Sequence, residues 1–270
     1  DVLSKLTSGT IHLNVNADYP ASEVFTNARG VRLNQFTGPH PAGNVGVQIN
    51  HLDPINQGDI VWYVYPQDII TIGKLFEKGI YDATKVIALT GSEVKKPLYY
   101  RILRGASIEN LVTNNVLDGE LRYISGNVLT GKKISSEGFL GHFDDQVTVI
   151  PEGNYYELFG WAVPGFSKYS AGNTFLSALR SKKYRLDTNL HGGERAYVMS
   201  GEYEKVFPMD IYPVQLVKAI MIEDIELMEK LGIYEVDEED FALPEFVCTS
   251  KIPVQSIVRK GLDMMLEEMS

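Results

Sequence analysis

Residues 36–54, Phe36-Thr37-Gly38-Pro39-His40-Pro41-Ala42-Gly43-Asn44-Val45-Gly46-Val47-Gln48-Ile49-Asn50-His51-Leu52-Asp53-Pro54, constrain the chain more than any other stretch. Three glycines, three prolines and two histidines fall there without a helical or strand period, so the backbone must be held in particular turn geometries. A loop of this kind is suited to presenting groups to a ligand. Clusters of Gly and Pro also simply punctuate chains, and a lone histidine is more often structural than chemical.

The flanking sequence reads as alternating strand and helix. Ile11–Val15 and Val45–Ile49 carry the β-branched enrichment of strands, and Ile60-Val61-Trp62-Tyr63-Val64-Tyr65 is apolar and aromatic throughout, as in a strand buried on both faces. Pro66–Phe76 follows with a helical period, placing Ile69, Ile72 and Phe76 on one side. Lys85–Gly91 is then a short apolar run closed by glycine. Strand, helix and strand in this order predict a βαβ unit, and residues 1–95 are assigned to an α/β domain.

After Lys95-Lys96-Pro97 the character changes. Tyr99–Ser107 is strand-like, and Ser107 is placed to cap a short helix through Asn110-Leu111-Val112. Short runs at Leu121–Ile124, Val128–Leu129, Gly138–Leu140 and Gln146–Ile150 complete a compact α+β module over residues 96–152. Residues 153–270 mix loop and helix. Pro213–Leu231 reads as one helix, and Pro253–Met269 carries an apolar stripe from Val254 to Met269. The two stripes are expected to pack on each other, and the acidic run Glu235, Asp237, Glu238, Glu239, Asp240 to be a solvated connection.

Charge and cysteine usage exclude several functions. The formal net charge of -10 repels phosphate backbones and anionic lipid, which argues against nucleic acid as a partner. A single cysteine, Cys248, rules out an internal disulfide and a cluster ligated by this chain alone. No run of roughly 18 apolar residues exists to span a bilayer, and the opening at Asp1, with polar and apolar residues mixed as in mid-domain sequence, reads as a fragment or processed product.

Standard catalytic constellations are missing as well. There is no Gly-x-Gly-x-x-Gly, Walker loop, His-Glu-x-x-His or Cys-x-x-Cys, and Gly38, Gly43 and Gly46 are spaced too widely for a dinucleotide fingerprint. His40 and His51 have only Asp53 at ligand spacing, so no metal site is expected. His191-Gly192-Gly193-Glu194 reads as a tight turn, and Cys248 as an inert, half-buried thiol without a catalytic partner.

Several phrases together resemble one family: Phe36–Gly43 (FTGPHPAG), His51-Leu52-Asp53-Pro54, Gln67-Asp68 with Ile72–Phe76, Arg122–Gly131 (RYISGNVLTG), Glu157–Trp161, Gly192–Ala196, Asp237–Ala242 (DEEDFA) and Phe246-Val247-Cys248. The family is NqrA, whose members are subunits of the Na+-translocating NADH:quinone oxidoreductase, and the phrases occur in its order along essentially the whole chain. Members carry a further N-terminal region, so this chain resembles the C-terminal portion. The resemblance implies a partial Rossmann-like domain, a β-grasp module of the soluble-ligand-binding type and a helical C-terminal domain.

The same resemblance implies a peripheral protein on the cytoplasmic face of the bacterial inner membrane, coupling NADH oxidation and ubiquinone reduction to sodium export together with the other subunits of the pump. It implies no catalytic, cofactor or metal residue in this chain, with flavins and an iron-sulfur centre held by partner subunits. If quinone touches the chain, the expected contacts are Gly38, Pro39, His40, Pro41, Gly43 and Asn44, with His40 donating to a quinone carbonyl. Two other readings stand beside it: a self-sufficient flavin or NADH oxidoreductase whose cofactor loop lies in a missing N-terminal region, and a soluble ligand-binding module.

Overall fold

The structure, a computed structural model, describes residues 1–170, 172–179 and 184–269. In chain order its first half contains α1 (Leu3–Leu6), β1 (His12–Asn16), α2 (Glu23–Thr26), β2 (Arg32–Phe36), α3 (Val45–Leu52), α4 (Pro66–Lys78), β3 (Thr84–Thr90) and β4 (Leu98–Leu103). There follow α5 (Glu109–Val112), β5 (Leu121–Ser125), β6 (Lys132–Ile134), β7 (Gln146–Pro151), α6 (Pro213–Met221), α7 (Ile225–Lys230), α8 (Ala242–Val247) and α9 (Val254–Met269). These elements form two compact units, residues 1–63 with 194–270, and residues 64–193. The fold is mixed α and β.

In the first unit β1 and β2 pair in parallel, with Asn14 opposite Asn34. Its core is supplied mainly by the C-terminal helices. Val214, Leu216, Val217 and Ile220 of α6 meet Val254, Val258 and Met265 of α9, and Phe207, Met228, Ile233 and Phe241 fill the space between. Each such side chain contributes about 1.5–3 kcal/mol on burial. Val47 of α3 enters the same core. The two helical stripes thus cover each other, as the sequence suggests.

In the second unit five strands form a sheet in the order β4-β3-β7-β5-β6. Alternation along β3 turns Ile87 and Leu89 inward, where they meet Val147 and Val149 of the central strand β7 and Ile108, Leu111 and Val112 around α5, and it buries Lys85, whose Nζ pairs with Asp145 at 2.8 Å. The Ser107 hydroxyl accepts from the Glu109 N–H at 3.1 Å, the cap expected there. Helix α4 begins with Pro66 at its first turn and ends at Gly79, whose φ of +67° lets its N–H return to the Leu75 carbonyl. Gln67 clips this helix to the edge of β3, accepting from the Val86 N–H at 2.8 Å and donating to the Val86 carbonyl at 2.9 Å. Arg104 pairs with Asp68 at 2.5 Å and Lys74 with Asp82 at 2.6 Å.

Several expectations are corrected. Val45–Ile49 is the first part of helix α3 rather than a strand, because Asn44, extended at φ -70° and ψ 142°, starts a helix that buries Val47 and brings Gly46 against Asp240; that packing overrides β propensity. Ile60–Tyr65 forms no strand and is largely exposed, Trp62 by 87%, since β-branched and aromatic content without a ladder to join does not make one. The βαβ reading therefore fails, and β3 instead runs antiparallel to β4 and parallel to β7.

Pro213–Leu231 is two helices, interrupted where Glu223 adopts φ +60° and Asp224 caps α7 by accepting from the Leu227 N–H at 3.0 Å. Val128–Leu129 is a turn, because the Asn127 side chain accepts from the Leu129 and Thr130 N–H groups at 2.7 and 3.0 Å. The run Gly138–Leu140 contributes only a single bridge, Phe139 to Ser107.

Candidate functional site

The loop over residues 37–44 leaves the C-terminal end of parallel strand β2 and leads into α3. Open α/β sheets present their ligand-binding loops at that end of the strands. Its own backbone turns help to hold it. Gly38 adopts φ +132°, a conformation that side chains resist, and two tight turns follow, closed by the Ala42 N–H to the Pro39 carbonyl at 3.0 Å and the Asn44 N–H to the Pro41 carbonyl at 2.8 Å. The His40-Pro41 bond is cis. Thr37 donates to Asp18 at 2.5 Å, tying the loop to the segment that leaves β1.

A chain of side-chain amides supports the loop from below. Asn34 of β2 donates to Asn14 of β1 at 2.9 Å and also meets His12 Nδ1 at 3.0 Å. Asn14 donates to Gln48 of α3 at 2.8 Å, and Gln48 donates to the Ala42 carbonyl in the loop at 3.3 Å. Polar groups linked in this way fix the relative placement of strand, helix and loop. His12 and Asn14, at alternate positions of β1, share one face, but nothing local in the sequence connects them to Asn34 or Gln48.

Of the six loop residues expected to meet quinone, Gly38, Pro39, His40 and Gly43 are exposed, Asn44 is half-buried and Pro41 is buried beneath them. Contiguous in sequence, they share one loop, in which the His40 imidazole is open to solvent and Pro41 is enclosed. His51 lies in the last turn of α3 and Asp53 just beyond it. Among the described residues no three His, Cys, Asp or Glu side chains converge as a metal site would require. A shallow cleft of about 510 Å³, with Ser4, Thr7, Ser8 and Arg32 among its lining, sits at the opposite, N-terminal ends of β1 and β2.

Elsewhere, His191 bonds Asp187 at 2.9 Å, and Tyr155 donates to the other oxygen of that carboxylate at 2.7 Å, so the turn is stapled by its own side chains. Cys248 is more deeply placed than expected. It is 1% exposed and accepts from the Tyr203 hydroxyl at 3.1 Å, while burial and that contact push the Tyr203 pKa upward. The acidic run is not a solvated connection either. Asp237 and Asp240 close a capping box around the turn Glu238–Phe241, and Asp240 is 2% exposed.

Residues 1–81 match the family model described as the NqrA second alpha/beta domain, and residues 86–136 the model described as the NQRA C-terminal domain. Relatives matched along nearly the whole of this chain agree. A protein of Yersinia pestis bv. Antiqua (strain Angola), named as a subunit of Na(+)-translocating NADH-quinone reductase, is 42% identical over 269 residues, covering 99% of this chain and 60% of the relative. The chain belongs to the NqrA family. Proteins of the same name from Pasteurella multocida (strain Pm70), at 40% over 270 residues, and Neisseria meningitidis serogroup B, at 39% over 271 residues, give the same picture. The chain spans about 60% of the length of these NqrA relatives, and its loop 37–44, together with the strands and helix that hold it, lies inside the first matched domain.

Proposed function

We propose that this NqrA-family chain is part of the peripheral NqrA subunit of a sodium-translocating NADH:quinone reductase, in which electrons pass from NADH to quinone through flavins and an iron-sulfur centre held by partner subunits. The observation that carries this reading is identity of about 40% across 99% of the chain to proteins named as a subunit of that reductase. No described helix is long and apolar enough to cross a membrane, which suits a protein that docks on the cytoplasmic face beside membrane-spanning partners. The β1–β2–α3 segment is read as part of a Rossmann-like domain and the five-stranded sheet as a β-grasp module.

The chain's own donor set supports a role without a resident redox group. A cluster needs several thiolates, whereas the one thiol here is buried and bonded to Tyr203. The loop after β2 lacks the glycine spacing that lets a backbone approach a pyrophosphate. In this reading the loop contributes to the quinone site of the assembly, with the exposed His40 donating to a quinone carbonyl and the turns around Pro39 and Pro41 holding it ready.

The test uses the purified full-length protein and a ubiquinone analogue. His40→Ala is expected to weaken binding about 2- to 10-fold, the loss of one hydrogen bond. Unchanged affinity removes the loop from the quinone site. Visible flavin absorbance in the same preparation, retained after washes that strip weakly bound material, overturns the cofactor-free reading in favour of a self-sufficient flavin oxidoreductase.

A further inference from the structure

A buried carboxyl stands against the start of α3. Asp240 accepts the Asp237 N–H through Oδ2 at 2.9 Å, while its Oδ1, enclosed in the protein, has no hydrogen-bond partner among the described residues. Facing it is Gly46, where an added Cβ would lie 2.7 and 2.8 Å from the two carboxyl oxygens. Only a glycine allows helix and carboxyl to approach this closely. Asp240 thus joins the C-terminal helical segment to the helix that carries the loop 37–44.

Among the described residues no cation answers this carboxyl. Its own turn brings Asp237, Glu238 and Glu239, all acidic. From α9 comes Arg259, which is committed to Asp237 at 2.7 Å and to Glu238. On α8 the carboxylate of Glu245 accepts the Gln255 N–H at 2.7 Å. Helix α3 offers no ionisable side chain from Val45 to Asn50, and His51 lies at its far end. Asn50 donates instead to Glu235 at 2.8 Å, a further acid on the same side. A neutral carboxylic acid is tolerated in such a place, whereas an ionised one is a buried charge beside other carboxylates.

We propose that Asp240 is a protonation-controlled clasp, which holds the start of α3 and its loop against the C-terminal helices when it carries a proton and loosens them when it ionises. Burial, with Glu239, Asp237 and Glu238 adding to it, pushes the Asp240 pKa up to about 7. The folded state then binds more protons than an opened state in which the carboxyl meets water at its ordinary value near 3.9. Closure is favoured at low pH, weakens as pH rises toward about 7, and changes little above that. The clasp stands whether or not the loop touches quinone.

Hydrogen exchange of the α3 amides in the full-length protein tests it, with protection corrected for intrinsic exchange at each pH. In the wild type, opening of α3 is expected to rise about tenfold per pH unit between about pH 5 and pH 7 and then level off. Asp240→Asn, neutral at every pH, flattens the profile. A carbon-13 titration of the Asp240 carboxyl in the wild type reads the same group without a variant, and is expected to show its midpoint near neutrality. Parallel profiles in the two proteins, or a carboxyl that titrates in the ordinary acidic range, overturn the proposal.

Discussion

Gly261 of α9 and Ile220 of α6 offer a direct measure of how tightly the C-terminal core is packed. A Cβ on Gly261 would fall 2.8, 2.9 and 3.0 Å from Cγ1, Cδ1 and Cγ2 of Ile220, itself 1% exposed. In an exposed helix Gly→Ala is stabilising by about 0.8–1 kcal/mol. Here the methyl must displace a branched side chain buried in the core, and overpacking of that kind costs about 1–3 kcal/mol. Gly261→Ala is therefore expected to destabilise by roughly 1 kcal/mol, the difference between the two effects.

Ile220→Ala removes the three obstructing atoms and by itself costs about 2–5 kcal/mol. In that background the added methyl enters the space left behind, and Gly261→Ala becomes stabilising, giving a coupling energy of about 1–3 kcal/mol. Denaturant unfolding of the four proteins, read by the circular dichroism of the helices, measures it. Gly261→Ala stabilising in the wild-type background, or costs that simply add, would refute the packing described for α6 and α9.

Two further outcomes follow from side-chain environments. Glu152 accepts from Arg122, Lys133 and Thr188, and the Arg122 guanidinium foremost holds its pKa down to about 2 from 4.5. Its depressed pKa means that the contribution is complete above the ordinary glutamate range and lost as pH falls toward 2, so the stability gap between wild type and Glu152→Gln should be open at neutral pH and close in acid; unfolding midpoints across that range with a constant gap contradict this. Cys248, enclosed beside Tyr203, should react with a thiol reagent only as the protein unfolds, and prompt stoichiometric labelling of the native protein would show that the thiol is accessible.

The elements legible in the sequence are those whose local signals and tertiary roles coincide. Helix α4 announces itself through Pro66 and its helical period, α9 through its stripe, and β1, β3, β5 and β7 through short apolar runs that find ladder partners. Where the two levels diverge, reading fails. Val45, Val47 and Ile49 favour a strand locally, but Asn44 and the approach of Gly46 to Asp240 commit the segment to a helix. Tyr63 and its neighbours look like a strand core, yet strand formation depends on a neighbouring ladder that composition does not reveal.

The loop 37–44 is visible from its glycines and prolines. Its support is not, because the links from Asn34 through Asn14 and Gln48 to Ala42 join positions far apart in the chain. Asp240 is obscured for a related reason. Within a run of acids nothing local separates the one carboxyl that is buried from those that remain in water.

The polypeptide is proposed to serve a sodium-dependent NADH:quinone reductase built from several subunits. Deleting its gene and assaying NADH:quinone reductase activity in native membranes, with and without sodium, tests this most directly. Loss of the sodium-stimulated activity, restored by a wild-type copy of the gene, is the expected result. Membranes whose sodium-stimulated activity is unchanged by the deletion would contradict it.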